Sequence, residues 1–220
     1  VYVQSNLVGF QNVIELVRNH KVPNLVYASS SSVYGGSKEY PFSESQNVNN
    51  PVSFYAATKV SNELTAKAYA NLYDLHSTGL RFFTVYGPFS RPDMAMFKFA
   101  ELMTRGEPLP IYNQGNMVRD FTYIDDIIDG TVCCLERPEL GEVYNLGRGQ
   151  PMDLMEMIEL LEQNLGIEAK REFLPMQLGD VHKTIADVSK AESRFGYAPK
   201  VSLADGVANF VDWYRGYSKR

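Results

Sequence analysis

The chain has 220 residues, 45% of them apolar and 21% charged, which is enough to bury the core of one large domain or two small ones. Its 26 acidic and 21 basic residues give a formal charge of −5, which argues against a broad nucleic-acid-binding surface. No apolar run approaches the roughly 20 residues that a membrane-spanning helix needs.

Cysteine and histidine usage excludes two further classes of protein. The two cysteines, Cys133 and Cys134, are adjacent, so they form no disulfide scaffold, and this usage predicts a reducing, cytoplasmic setting. The three histidines are scattered without metal-ligand spacing, so no metal site is predicted. The chain begins at Val1 without a signal peptide, and we expect the start of the natural protein to be missing.

The first 86 residues alternate helices and strands. Apolar side chains at spacings of three and four predict a helix over 6–19, with Asn6 as its N-cap. A short apolar run predicts a buried strand over 25–28. A polar loop over 37–51, a helix over 53–73 and a strand over 80–85 follow. This order is typical of a parallel α/β sheet with crossover helices.

The pattern changes after residue 86, so we place a domain boundary there, between residues 1–86 and 87–220, although later elements can pack back on the first sheet. The second part predicts helices over 93–105, 125–135, 152–165, 188–195 and 203–217, and extended segments over 109–112, 142–146 and 170–174. A turn is predicted at Gly115-Asn116.

The helix over 53–73 carries Tyr55 and Lys59 four residues apart, so both side chains lie on one helix face. An ammonium group near a phenol lowers the phenol pKa from about 10, and such a tyrosine can accept a proton from a sugar hydroxyl. Tyr34 and Lys38 share this spacing, but two intervening glycines make a helix unfavourable there. Taken alone, the spacing is a weak signal, and a surface Tyr–Lys pair is the commoner explanation.

Polar side chains also follow the predicted buried strand. Four serines, residues 29–32, come directly after it, at the sheet edge where parallel sheets bind ligands. A serine hydroxyl there can donate to a substrate oxygen that changes charge. Arg119 could bind a phosphate through its guanidinium. Neither a glycine-rich dinucleotide fingerprint nor a Walker A sequence occurs in the 220 residues.

The order and spacing of these segments carry a family resemblance. The segments are Ala-Ser-Ser-Ser-Ser-Val-Tyr-Gly at 28–35, Tyr-Ala-Ala-Thr-Lys at 55–59, Leu-Arg-Phe-Phe-Thr-Val-Tyr-Gly-Pro at 80–88 and Arg-Asp-Phe-Thr-Tyr-Ile-Asp-Asp at 119–126. Together they resemble the extended short-chain dehydrogenase/reductase family, and within it the NAD-dependent nucleotide-sugar epimerases. Residues 85–95 and 173–181 resemble UDP-glucuronate 4-epimerases in particular.

The resemblance implies a fold and binding partners. The expected fold is α/β, with a partial Rossmann-like doubly wound parallel sheet and a smaller C-terminal α/β substrate domain. NAD is the expected cofactor, a UDP-sugar is the expected substrate, and a homodimer is expected to form through the helices of Asn6 and Tyr55. The family's glycine-rich turn is absent, so we expect the chain to be the C-terminal two-thirds of such an enzyme.

The resemblance also assigns roles to single residues. Tyr55 is the expected catalytic base, Lys59 lowers its pKa and holds the nicotinamide ribose, and Ser30 shares the sugar 4-oxygen. The residues expected at the cofactor are Asn6, Ala28, Ser29, Tyr55, Lys59, Phe83 and Val85. Those expected at the substrate are Ser30, Ser31, Thr84, Arg91, Ile111, Tyr112, Asn113, Arg119, Gln177 and Asp180. Many relatives have Arg at the position of Gln177.

Three alternatives to UDP-glucuronate epimerisation stay open. The first is a 4-epimerase for neutral sugars of the UDP-glucose and UDP-galactose type. The second is a related nucleotide-sugar dehydratase or decarboxylase. The third is an inactive, truncated fragment that binds a nucleotide sugar without catalysis. Arg91 and the residues after it favour the uronic acid, because a guanidinium can clamp a carboxylate.

Overall fold

A computed structural model of the chain describes residues 1–177 and 180–218. Its helices are α1 (Gly9–Asn19), α2 (Phe54–Tyr73), α3 (Ala95–Arg105), α4 (Ile124–Glu136), α5 (Leu154–Leu165), α6 (Ser189–Phe195) and α7 (Leu203–Tyr217). Its strands are β1 (Leu25–Ala28), β2 (Ser77–Phe82), β3 (Thr84–Tyr86), β4 (Leu109–Ile111), β5 (Val118–Arg119), β6 (Phe121–Tyr123), β7 (Leu140–Leu146), β8 (Met152–Asp153) and β9 (Arg171–Phe173).

The main sheet has three parallel strands in the order β1-β2-β7. Successive side chains of a strand point to opposite faces of the sheet, so Tyr27 and Val26 of β1 show what covers each face. Tyr27 of β1 packs into a cluster with Ile14 of α1 and Ala66 of α2. Its neighbour Val26 packs into a second cluster, which includes Ile127 of α4. Helices on both faces of a parallel sheet confirm the predicted α/β fold class.

A third apolar cluster is larger than these two and forms the core of the region that contains α3, α5 and α7. Helices α3, α5 and α7 contribute to it Phe97, Met157, Leu161 and Phe210, among others. Short strand pairs lie beside it: β3 with β6 and β4 with β9 in parallel, and β5 with β8 in antiparallel. Elements beyond residue 86 also return to the main sheet, since β7 pairs with β2 and both α4 and α6 pack on it.

Most of the predicted elements agree with the structure, and the ones that the sequence missed are short strands. The predicted helices from residue 53 onward and the strands over 25–28, 109–112, 142–146 and 170–174 are confirmed, with small shifts at their ends. The sequence patterns missed β5, β6 and β8, because two or three residues are too few to show a periodicity. In the described part of the chain, no helix is long and apolar enough to cross a membrane.

The prediction of one strand over 80–85 is wrong, because the chain changes sheets in the middle of it. Phe83 N donates to Leu146 O of β7 over 3.1 Å, whereas the next amide, Thr84 N, donates to Asp120 O over 3.1 Å. Strand β2 therefore ends at Phe82, and β3 begins at Thr84 beside β6. Thr84 therefore lies at the point where the chain passes from the main sheet to the β3–β6 pair.

The predicted start of the first helix is also wrong. A six-residue π-helical stretch, Val3–Val8, precedes α1, so Asn6 lies inside a helix and caps nothing. Its side-chain amide instead donates to Thr58 Oγ1 of α2 over 3.0 Å. A contact across 52 residues thus outweighs the local preference of asparagine for an N-cap.

Candidate active site

A cleft of about 650 Å³ lies at the carboxyl ends of β1, β2 and β3. Its floor is formed by Ala28 and the four serines that follow it, and Tyr55 of α2 forms one wall. Residues Phe82 to Pro88 and the following loop complete it, together with Arg119 and Asp180. The position agrees with the rule that open α/β sheets bind ligands outside the carboxyl ends of their strands.

Helix α2 brings Tyr55 and Lys59 to this cleft. Ser53 caps the helix, since its hydroxyl accepts from Ala56 N over 3.1 Å, and Tyr55 follows within the first turn. Lys59 Nζ donates to Ala28 O over 3.0 Å and lies 5.7 Å from the centre of the Tyr55 ring. Partial burial lowers the pKa of the Lys59 ammonium. A cation at this distance over a ring face is attracted by the ring quadrupole, which favours keeping the two side chains together.

The serines divide into two groups. Ser30 caps a short 3₁₀ turn, Ser31–Tyr34: its hydroxyl accepts from Ser32 N and donates to Ser32 Oγ, both over 3.1 Å. Ser30, Ser31 and Ser32 line the cleft beside Tyr55. Ser29 also reaches the cleft wall, but its hydroxyl donates inward to Glu63 Oε1.

The second Tyr–Lys pair does not form a site. Tyr34 is buried, with 3% of its surface exposed, and its hydroxyl donates to Asn145 Oδ1 over 2.6 Å. Burial raises the pKa of Tyr34 to about 12. Tyr34 is therefore a neutral core residue. The Tyr–Lys spacing is the same for both pairs, but only Tyr55 lines the cleft.

The rim of the cleft is a loop that begins at Gly87. A side chain at this position would bring its Cβ within 2.5 Å of Ile124, and φ is +144°, so glycine is required. Arg91 lies further along the loop and holds Asp93 with two hydrogen bonds, Nε to Oδ1 at 2.9 Å and Nη2 to Oδ2 at 2.8 Å. Both side chains are largely exposed. The guanidinium thus already binds a carboxylate at the rim.

A second cavity of about 370 Å³ continues from the first. The two share Thr84, Met94, Arg119 and Asp180, so together they form one groove. Arg119 Nη2 donates to Asp180 Oδ1 over 2.8 Å, and Arg119 Nη1 donates to the backbone oxygens of Val118 and His182. Tyr112 and Gln177 line this second cavity.

The structure brings most of the predicted residues to this groove, but not all of them. Those lining it are Ala28, Ser29, Ser30, Ser31, Tyr55, Phe83, Thr84, Val85, Arg91, Tyr112, Arg119, Gln177 and Asp180. Lys59 adjoins it through Ala28 O. Ile111 is fully buried in the larger core, Asn113 donates to Asn116 O, and Asn6 binds Thr58, so these three side chains are occupied elsewhere.

Sequence reasoning missed several groove residues, namely Tyr2, Phe82, Ser90, Met94, Lys98, Val181 and Thr184. They come from loops and element ends that are far apart in the chain, where no local spacing marks them.

Within residues 1–177 and 180–218 no cluster of His, Cys, Asp and Glu suits a metal ion.

Comparison with known proteins identifies the family of this chain. The sequence model described as the NAD dependent epimerase/dehydratase family matches residues 1–147. The chain belongs to this family. An uncharacterized protein of Methanocaldococcus jannaschii is 50% identical over 213 residues, which cover 97% of this chain and 65% of that protein.

Two epimerase/dehydratase relatives carry informative names. A probable UDP-glucuronate 4-epimerase of Rhizobium meliloti is 43% identical and covers 97% of this chain and 68% of that protein. The crystal structure of UDP-glucuronic acid 4-epimerase from Bacillus cereus, in complex with UDP-glucuronic acid and NAD, is 37% identical with a TM-score of 0.93. That match covers 98% of this chain and 69% of the other. The chain thus spans about two-thirds of the length of these three relatives. Its family membership confirms the predicted resemblance.

The epimerase/dehydratase family implies NAD, and the residues present fit its nicotinamide end. Ala28, Ser29, Tyr55, Phe83 and Val85 line the larger cavity. An ammonium group has three N–H donors, and Lys59 uses one of them on Ala28 O, which leaves two for ribose hydroxyls. A glycine-rich turn for the pyrophosphate does not occur in these 220 residues.

Proposed function

We propose that this chain forms the catalytic part of an NAD-dependent UDP-sugar 4-epimerase whose substrate is UDP-glucuronate. The observation that carries the proposal is the meeting of Tyr55 and the serine cluster at one cleft of sufficient volume for a sugar and a nicotinamide, with Lys59 bonded to the Ala28 carbonyl beside it. The 4-epimerase names of the relatives support the same reaction. Arg91 on the rim of that cleft supports the uronic acid.

The reaction needs a proton acceptor at the sugar 4-hydroxyl. Bound NAD would accept a hydride from C4 and later return it. Tyr55 would take the 4-hydroxyl proton and give it back, Lys59 would stabilise the phenolate, and Ser30 would share the 4-oxygen. The second cavity, with Arg119, Tyr112 and Gln177 along its wall, would hold the UDP moiety. The 4-keto sugar must rotate within the site before its reduction, so that the opposite face of C4 points to the nicotinamide.

A uronic acid adds a second requirement. Oxidation at C4 places a ketone beta to the C5 carboxylate, and a β-keto acid loses carbon dioxide readily. An epimerase must therefore hold the carboxylate in an orientation that disfavours cleavage of the C–C bond. A bidentate contact from Arg91 would do so.

A neutral UDP-hexose is the second candidate substrate, and one contact favours it. Arg91 already holds Asp93 with two hydrogen bonds, so a neutral sugar would bind without an exchange of partners at the rim. Comparing turnover of UDP-glucuronate and UDP-glucose by product analysis separates the two substrates.

The proposal includes a homodimer formed through α1 and α2. Several apolar side chains on these helices remain exposed, namely Val13, Leu16, Leu64 and Leu72. Leu64 and Leu72 are 67% and 70% exposed, and burial of such side chains favours association.

Replacing Tyr55 by Phe in the full-length protein tests the proposed function. The Phe ring preserves packing but removes the proton acceptor, so kcat should fall by about two to four orders of magnitude while UDP affinity stays nearly constant. The readouts are steady-state kinetics with UDP-glucuronate and calorimetric binding of UDP.

Tyr73→Phe is the matched control. Tyr73 ends the same helix, is 50% exposed and lies outside the groove. The kcat of the Tyr73→Phe variant should therefore equal that of the unsubstituted protein. Turnover retained in Tyr55→Phe would refute the assignment of Tyr55 as the base.

A further inference from the structure

A buried polar network lies beneath the serine end of the cleft. Arg81 Nε and Nη2 donate to the two carboxylate oxygens of Glu63, over 2.9 Å and 2.7 Å. Both side chains are almost wholly buried, and neither lines the cleft. Arg81 Nη1 also donates to the Tyr34 hydroxyl over 3.0 Å. The chemistry proposed above uses none of these three groups.

Ser29 connects this network to the cleft floor. Its hydroxyl donates to Glu63 Oε1 over 2.5 Å, and its backbone N donates to Leu80 O over 2.7 Å. The preceding carbonyl, that of Ala28, accepts the bond from Lys59 Nζ. Two successive residues at the end of β1 are therefore attached to α2, one at Lys59 and one at Glu63, which lie a single helical turn apart.

Stability alone does not account for a charged pair at this depth. The loss of hydration offsets the attraction between buried charges, and apolar residues of similar size often serve a fold equally well. A fully hydrogen-bonded network does, however, hold its members in one orientation. Here the group that it holds is the strand end whose carbonyl contacts Lys59.

We infer that Glu63 is a positioning residue: its carboxylate, fixed by Arg81, anchors Ser29 and so directs the Ala28 carbonyl that holds Lys59 over the Tyr55 ring. Tyr55, Lys59 and Glu63 succeed one another at intervals of four residues, so one helix face carries the base, its cation and the anchor of that cation. The inference rests on the proposed function, because the place of Lys59 matters to the reaction only if Tyr55 is the base.

The first test uses Ser29→Ala, which removes the anchor and leaves the Glu63–Arg81 pair intact. Acetylation of Lys59 in the full-length protein, without added cofactor, is followed by mass spectrometry, relative to Lys170, whose ammonium contacts Gly106 O away from the cleft. In this variant the Ala28–Ser29 peptide keeps its backbone bond to Leu80 O but loses the side-chain bond to Glu63. Its carbonyl should hold Lys59 less firmly, so Lys59 should react up to about fivefold faster, the factor that one net hydrogen bond is worth.

Ser77→Ala is the matched control for that test. Ser77 is a buried serine of β2 whose hydroxyl has no partner among the residues that the structure describes, so its loss should leave the Lys59 rate unchanged. An unchanged Lys59 rate in Ser29→Ala would overturn the inference.

The second test replaces both charges at once, as Glu63→Met with Arg81→Met, so that no buried charge is left unpaired. In the full-length protein kcat should fall roughly tenfold or more with KM for the UDP-sugar unchanged, because a small misplacement of a catalytic group is costly. Denaturant unfolding of the same variant checks that the fold is retained.

A stable double variant with unaltered kcat would show that the pair is merely structural and would overturn the inference. A double variant that fails to fold leaves the decision to the Lys59 rates. Retained turnover in Tyr55→Phe would instead refute the proposed function, and the Lys59 rates would remain readable because they need no turnover.

Discussion

At the scale of single residues, surroundings separate side chains of the same type. Three arginines show this: Arg81 is buried against Glu63, Arg119 is tied to Asp180 in the groove wall, and Arg91 stands exposed at the rim. Of these, Arg91 gives up its present partner at least cost, because an exposed ion pair contributes little free energy. Arg91 is therefore the residue through which we expect the substrate carboxylate to be recognised.

Arg91→Ala should raise KM for UDP-glucuronate roughly tenfold, since hydrogen bonds to charged groups are lost, and should increase the decarboxylated product. UDP-glucose serves as the internal control, because its neutral sugar has no carboxylate to lose. The measurement is steady-state kinetics with product analysis by chromatography. Unchanged KM and product ratio would remove Arg91 from the site.

Asp93→Asn is the complementary variant of the same prediction. Hydrogen bonds from Arg91 lower the pKa of Asp93, so this carboxylate stays ionised through the neutral range and pH alone does not release Arg91 there. Removing the charge should lower KM for UDP-glucuronate by up to about fivefold, the worth of an exposed pair. A KM that rises instead would mean that Asp93 orients Arg91 for the substrate.

At the scale of elements, the start of α2 carries the most function. The helix begins at Phe54, and Tyr55 is its second residue, so fraying of the first turn would move the base directly. The Ser53 hydroxyl, which accepts from Ala56 N, opposes that fraying.

Ser53→Ala should cost about 1 kcal/mol of unfolding free energy, as the loss of an N-cap does, and should also lower kcat. Ser202→Ala is the matched control, because Ser202 caps α7 by accepting from Asp205 N, also over 3.1 Å, away from the groove. The Ser202 hydroxyl also donates to Asp205 Oδ2 over 2.5 Å, so this variant should lose at least as much stability and keep kcat. Thermal unfolding and kinetics measure both effects, and an equal kcat in the two variants would contradict the prediction.

At the scale of the whole molecule, the groove lies between the main sheet and the apolar cluster of α3, α5 and α7. The main sheet and its helices supply the serine floor and Tyr55, and the region around α3, α5 and α7 supplies Tyr112 and Gln177. The chain crosses from one to the other at Phe83, and β7 later returns to the main sheet. Packing of either core therefore affects the shape of the groove.

The proposed homodimer is also a property of the whole molecule. Leu64→Glu should convert the dimer to a monomer in sedimentation velocity, because a charge buried without a partner opposes association. Ile128→Glu is the control, since Ile128 is an apolar side chain of α4 that is 51% exposed and lies on neither α1 nor α2. A dimer that survives Leu64→Glu would place the interface elsewhere.

The sequence alone determined the α/β class, the long helices, strand β1 and the Tyr55–Lys59 spacing, because each can be read from the local order of apolar and polar residues. Only the tertiary structure decided that Tyr55 lines the cleft and Tyr34 does not, that the chain bends at Phe83, and that Glu63 meets Arg81 and Ser29. Those outcomes depend on contacts between distant segments. Such contacts form when apolar faces pack together, and no local pattern of residues records them.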